Sequence, residues 1–277
     1  MYRLILSLII FILLTGCSVF NNDKVQITEE QRFEKAINLL SNNKFEKAKN
    51  EFQIIIQNQK GTALSLNSYY HLGEAFFGLK NYEEAIYHFN YYSMFSNKIE
   101  NVEKAQFMKS KCEFELTLDY KNDQAQTFLA ISSIQEFLDN FPYSVYKDDA
   151  FKMIENLREK LAKKYFENGR LYLKIKKFES AMYYFDLVIS DYYDTKYSDE
   201  AKISYIFTYI VMKDYNKAVE YFDKNKNNFS SSHRLEEAQK ILDEYKNGLG
   251  ISGYYRLYKL KFIFLEEVLI HLIKRIN

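Results

Sequence analysis

Apolar and polar positions along this chain recur with the three-and-four spacing of amphipathic helices, and the pattern itself repeats. YYHLGEAFFGLKNYEEAIYHF (69–89) and YFENGRLYLKIKKFESAMYYF (165–185) can be laid on one another. Tyr69, Gly73, Phe76, Tyr82, Ala85 and Phe89 then fall on Tyr165, Gly169, Tyr172, Phe178, Ala181 and Phe185. Each segment reads as two helices joined by a short turn, each helix with one apolar stripe. FEKAINLLSNNKFEKAKNEF (33–52) keeps the frame through Ala36, Phe45, Ala48 and Phe52, and ISYIFTYIVMKDYNKAVEYF (203–222) through Ile206, Tyr209, Tyr215, Ala218 and Phe222. A middle copy starts near Val102 and has Ala130, Ile134 and Phe137 in its second helix, with Pro142 closing it. The second-helix alanines at 48, 85, 130, 181 and 218 advance by 37, 45, 51 and 37 residues. The spacing predicts that the extra length lies in loops, chiefly around LDYKNDQAQ and YSVYKDDA.

This frame resembles the tetratricopeptide repeat, a helix–turn–helix unit of 34 residues. The expected fold class is all-α, an α-solenoid of about five such repeats. Gly73, Gly169 and the alanines would mark where the paired helices cross too closely for a larger side chain. A single pair cannot bury its stripe alone, so pairs stack. SSHRLEEAQKILDEYKNG reads as a capping helix, started by Ser231 or Ser232 and stopped by Gly248, so the repeat domain is expected over 28–247. The tail at 248–277 is apolar and basic-tipped, but Lys259, Lys261, Glu266 and Glu267 interrupt it too often for a bilayer span. It is expected to be a packing helix or an amphipathic helix that docks on the repeats, a partner or a membrane surface.

Composition narrows the function. The chain has 47% hydrophobic residues, one proline and eight glycines, as continuous helix requires. A net charge of +1 provides no global attraction for nucleic acid. The four histidines, His71, His88, His233 and His271, show no metal-ligand spacing, and neither a phosphate-binding glycine loop nor a Gly-x-Ser-x-Gly elbow occurs. A non-enzymatic protein with no cofactor or metal is therefore expected. The lysines of REKLAKK could form a phosphate-binding stripe, but acidic residues interleave with them.

The N-terminus predicts where the chain works. Arg3 precedes an apolar run from Leu4 to Leu14 broken only by Ser7. Those eleven residues span roughly 16 Å as helix, well short of the roughly 30 Å of a bilayer core. The run ends in Leu14-Thr15-Gly16-Cys17, which resembles a bacterial lipobox. Residues 1–16 are expected to be a lipoprotein signal peptide, Cys17 the site of covalent lipidation (palmitate-type acyl chains included), and 17–27 a tether. Two or three acyl chains hold a protein stably to a membrane. Ser18 favours the outer membrane, periplasmic face. Cys112 then has no disulfide partner and reads as a small buried hydrophobe.

A lipobox followed by these repeats resembles the BamD family of outer-membrane assembly lipoproteins. The resemblance spans roughly residues 28 to 240 and is most specific in 128–201. There a helix ends in a Phe-Pro-x-Ser-x-Tyr turn (141–146), a long helix carries Leu157-Arg158, and the next repeat ends in a Tyr-x-x-Thr-x-Tyr turn (192–197). The acidic-polar insert DYKNDQAQ strengthens it, whereas Tyr193 stands where that turn often has proline, and the tail has no counterpart. The resemblance implies a scaffold of the β-barrel assembly complex. Its implied partners are the periplasmic domain of the barrel-assembly subunit (BamA-like), unfolded outer-membrane proteins, accessory lipoproteins and, through the anchor, the membrane. First-helix positions that face the concave side of such repeats would fall at Phe33, Ile37, Leu40, Tyr70, Glu74 and Phe77, an apolar floor suited to an extended peptide. A different periplasmic repeat lipoprotein, coordinating cell-wall synthesis or envelope constriction, would share the anchor and the repeats.

Overall fold

The computed structural model describes residues 27–248; the expected signal peptide, Cys17 and the tail beyond Gly248 lie outside them. Among the described residues there are eleven α-helices and no strand. They are α1 (Glu29–Ser41), α2 (Phe45–Asn58), α3 (Ala63–Gly78), α4 (Tyr82–Phe95), α5 (Ile99–Glu115), α6 (Ala125–Asn140), α7 (Lys147–Lys174), α8 (Phe178–Asp191), α9 (Tyr197–Val211), α10 (Tyr215–Asn225) and α11 (Ser232–Lys246). The chain divides into two compact units, Met1–Ala105 and Gln106–Asn277.

Within both units the second-helix alanines are fully buried: Ala48, Ala85, Ala130, Ala181 and Ala218. The residue one turn later is buried as well, namely Phe52, Phe89, Ile134, Phe185 and Phe222. In two of the pairs that side chain lies against a glycine of the helix it crosses. A Cβ added to Gly73 would stand 2.8 Å from the Phe89 ring, and one added to Gly169 would stand 2.5 Å from Phe185. Gly78 of α3 is in the same position against Phe45 of α2, again at 2.5 Å, so close approach also joins successive pairs.

A second small position accompanies each alanine. Ser68, Ala105, Ala150, Ala201 and Ala238 each follow a second-helix alanine by 20 residues, and all are fully buried. The stretch from a second helix into the next first helix is therefore constant in length. From small residue to alanine the distance is 17 residues in 68–85 and 201–218 but 25 in 105–130 and 31 in 150–181.

The expected lengthening of two loops is thus half right. LDYKNDQAQ is an inserted loop between α5 and α6, but YSVYKDDA is a turn of ordinary length. The extra residues after it continue α7, a helix of 28 residues and about 42 Å. Fourteen added residues make nearly four helical turns, which returns the apolar stripe almost to its starting face. The first half of α7 (Ala150, Met153, Leu157) belongs to one core with α6, and the second half (Leu161, Phe166, Leu173) to another with α8 to α11.

The turns inside the repeats share one geometry. Asn43, Lys80, Lys176 and Lys213 all have φ between 56° and 62°. In each turn the N–H of that residue donates to the carbonyl three residues back and the next N–H to the carbonyl five back, the hydrogen bonds of a Schellman cap. Gly248 closes α11 with φ 82° and the same first hydrogen bond, to Tyr245.

Three residues after each second-helix alanine lies a seam residue that meets the first helix of its pair. Glu51 binds Arg32 at 2.6 Å and Lys35 at 2.5 Å. His88 stacks on Phe76 (5.2 Å, 10°) and Tyr69 lies 5.8 Å away. Ser133 meets Ser110 at 3.2 Å, Tyr184 stacks on Tyr172 (5.3 Å, 11°) and Tyr221 on Tyr205 (4.3 Å, 9°). One geometric position is thus filled by an ion pair, a hydroxyl contact or an aromatic stack.

Two predictions follow from this packing. Gly169→Ala is expected to destabilise the protein by about 1–3 kcal/mol, as overpacking does. The cost should shrink in a Phe185→Leu background, a coupling that urea-unfolding midpoints of the single and double variants would measure. Burial lowers the His88 pKa to about 4 from an ordinary 6.5, so the unfolded chain binds the proton more readily. The stabilisation is complete above pH 6.5 and is lost as pH falls toward 4; His88→Phe should flatten that part of a stability–pH curve.

Candidate partner-binding surfaces

In unit Met1–Ala105 the six groove candidates separate. Phe33 is half-buried on α1, edge-on to Phe52 (5.8 Å) and to His71 (5.5 Å). Ile37 and Leu40 are half-buried against the same core. Tyr70 is only 4% exposed, packed on Phe89 and Tyr92 with the Lys104 ammonium 4.4 Å from its ring centroid. It is a core residue and not groove floor: helix pairing in this repeat has consumed its surface. Glu74 Oε2 lies 2.7 Å from His71 Nδ1 and stays partly exposed, and Phe77 is half-buried edge-on to Tyr82.

His71 is the residue that reading the sequence missed as a hub. Phe33, Tyr70 and Glu74 all contact it, and Phe52 stacks on it (5.6 Å, 20°). Phe33, Ile37 and Leu40 of α1 and Glu74 and Phe77 of α3 each keep part of their surface exposed. The signal was available in the spacing, since His71 and Glu74 lie three apart and share a helical face.

In unit Gln106–Asn277 the motifs of 128–201 form a connected structure. The turns 141–146 and 192–197 share their hydrogen bonds: Ser144 N–H donates to the Phe141 carbonyl and Thr195 N–H to the Tyr192 carbonyl. Lys147 and Ser198 then donate to the carbonyls of Ser144 and Thr195. Neither Pro142 nor Tyr193 uses its backbone nitrogen in these turns, so tyrosine replaces proline there without losing a hydrogen bond. Arg158 of α7 crosses to the second turn. Its Nε and Nη2 donate to the two Asp194 carboxylate oxygens at 2.9 and 2.6 Å, and Nη2 also reaches the Asp191 carbonyl at 2.7 Å. The Arg158 guanidinium holds the Asp194 carboxyl below the usual carboxylate range. Leu157, beside it, is fully buried.

The REKLAKK lysines have a structural task in place of phosphate binding. Lys160 Nζ donates to Thr117 Oγ1 at 2.5 Å and Lys164 Nζ to the Asn122 carbonyl at 2.7 Å, while Lys163 lies 4.2 Å from the Tyr120 ring centroid. Buried Gln124 donates to the carbonyls of Asp119 and Asn122 and accepts from Thr127 Oγ1. The insert is thus clamped to α7. What remains outward at the first turn is Tyr143, 97% exposed, with Val145 and Phe151.

Chemistry is sparse elsewhere. Among the described residues no group of three or more His, Cys, Asp or Glu could hold a metal ion, and no helix is long and apolar enough to cross a membrane. Cys112 is fully buried, and burial pushes its thiol up to about 12, so little thiolate forms at neutral pH.

Comparison with known proteins places this architecture. A family described as "YfiO: Outer membrane lipoprotein" matches residues 25–212. An "Outer membrane protein assembly factor BamD" from Rickettsia prowazekii is 26% identical over 241 residues, covering 87% of this chain and 96% of that protein. A protein of the same name from Caulobacter vibrioides is 30% identical over 108 residues, 39% of this chain and 35% of its own length. Among solved structures, the MamA protein has a TM-score of 0.32 at 13% identity, over 80% of this chain and 96% of its own. With the family match covering more than half its length, and including both turns and Arg158, the chain belongs to the YfiO/BamD family.

Proposed function

We propose that this protein is a non-enzymatic, lipid-anchored scaffold for outer-membrane β-barrel assembly. The observation that carries the reading is the similarity to an outer membrane protein assembly factor along nearly the whole of both chains. In this reading Cys17 carries the lipid and holds the protein at the periplasmic face of the outer membrane. The repeats present two protein-binding surfaces. The strip formed by Phe33, Ile37, Leu40, Glu74 and Phe77 receives an extended segment of an unfolded outer-membrane protein, its half-buried rings supplying apolar contact without side-chain ordering. The repeats of unit Gln106–Asn277 dock the periplasmic domain of the barrel subunit, and accessory lipoproteins complete the complex. No cofactor takes part.

Rigid packing suits this role: a surface held by buried small residues and clamped loops loses little entropy when a partner docks. Affinity purification from detergent-solubilised membranes should recover the barrel subunit. Mass spectrometry of the mature chain should find residue 17 as a diacylglyceryl, N-acylated terminus. Recovery of cell-wall synthases without the barrel subunit, or normal levels of outer-membrane barrels after depletion, would reject the reading. An unmodified residue 17 would remove the anchor from it.

A further inference from the structure

Unit Gln106–Asn277 contains a groove of about 520 Å³ beside the Tyr205–Tyr221 seam stack. Its floor is aromatic. Tyr205 of α9 stacks on Tyr221 of α10 (4.3 Å, 9°), and Tyr209 stands edge-on to Tyr205 (5.6 Å, 63°). Asp186 of α8 and Lys217 and Lys224 of α10 also line it. The Tyr205 hydroxyl donates to Asp186 Oδ2 over 3.4 Å, a long hydrogen bond.

Asp186 has no ion pair among the described residues, although it is exposed and lines the groove. Partial desolvation raises its pKa, with the Tyr205 hydroxyl pulling the other way; burial raises those of Tyr205 and Tyr221, and the Asp186 charge adds to it. A carboxylate beside stacked rings and lacking a cation is a site for a cation. The lysines do not turn it into an anion site. Lys217 is paired with Asp214 at 3.1 Å, and Lys224 lies one helical turn from Glu220, which also lines the groove. Any anion that reached them would face Asp186.

We propose that this groove receives an arginine side chain from a partner polypeptide, its guanidinium lying against the tyrosine rings and donating to the Asp186 carboxylate. Arginine fits better than lysine: its planar group stacks on aromatic faces and offers paired N–H donors to a carboxylate, whereas an ammonium is a strongly hydrated point charge. The inference rests on reading the chain as a partner-binding scaffold and specifies the chemistry of one contact.

The test titrates the full chain in detergent micelles with N-acetyl-arginine amide, with the neutral citrulline analogue as control. It reads tyrosine ring resonances assigned through Tyr205→Phe and Tyr221→Phe. Arginine amide should shift both tyrosines saturably and bind about tenfold more tightly than citrulline amide. Asp186→Asn should bring the two ligands level, and Lys224→Gln, which removes a competing cation, should tighten arginine binding. Asp186 is exposed, so its variant is expected to keep the unfolding midpoint, which is checked alongside. Equal response to both amides, an unchanged response in Asp186→Asn, or tighter saturable binding of inorganic phosphate would overturn the proposal. Any of these would leave the assembly reading standing, because that is tested by what copurifies from membranes.

Discussion

A ring pressed on a bare backbone is the contact from which the rest of this fold is built. Phe89 over Gly73 and Phe185 over Gly169 set the distance between paired helices, and buried alanines keep the crossing narrow. Burying one phenylalanine stabilises by roughly 2–3 kcal/mol. Ordering a helix pair costs roughly 1–2 kcal/mol for each residue's backbone, so no pair stands on its own crossing. Each must share its remaining apolar face with a neighbour. Gly78 against Phe45 shows that the demand for close approach continues from one pair to the next.

This constraint decides where the chain can grow. The step of 20 residues from each second-helix alanine to the next small residue never varies, because both ends are buried in helix crossings. Added length is tolerated only between the first helix and its own second helix. There it takes two physical forms. The insert after α5 is polar and cannot pack itself, so Lys160, Lys163 and Lys164 secure it from α7. The extension of α7 is apolar on one face and adds almost whole turns, so it stays helical and serves two cores. The same lengthened helix places Arg158 where it can hold the second turn through Asp194.

The helical frame was legible because small and aromatic residues recur at fixed spacing, and spacing is what a helix preserves. Gly73 and Gly169 were read for the right cause, close crossing, from their place in the repeat. Tyr70 was misread. Its position resembles that of a groove residue, but whether a side chain faces a ligand or a neighbouring helix depends on rings far along the chain, here Phe89 and Tyr92. The lysines of α7 were opaque for the same reason: their acceptors lie more than forty residues away. Lysines in left-handed turns gave no signal at all, since glycine or asparagine is the usual occupant and only Asn43 conforms. The seam position was hidden by its chemistry, because glutamate, histidine, serine and tyrosine share no property that a pattern search would register.

The last described helix departs from the repeat frame on one face. In the frame that sets Ser68 on Ala238, the first-helix residues Tyr69, Tyr70 and Gly73 become Gln239, Lys240 and Asp243 of α11. In α3 those residues receive α4: Tyr69 stacks on Tyr91 at 4.0 Å, Tyr70 lies 5.4 Å from Phe89, and Gly73 admits the Phe89 ring. In α11 all three are exposed, and Gln239 donates to Asp243 across one turn at 3.0 Å. A helix laid on that face as α4 lies on α3 would press a phenylalanine ring against the Asp243 carboxylate and strip its water, at a cost with no compensating hydrogen bond. The inner face of α11 keeps Ala238, Ile241 and Leu242 buried in the repeat core. One helix therefore closes the apolar interior with one side and turns a polar face outward with the other.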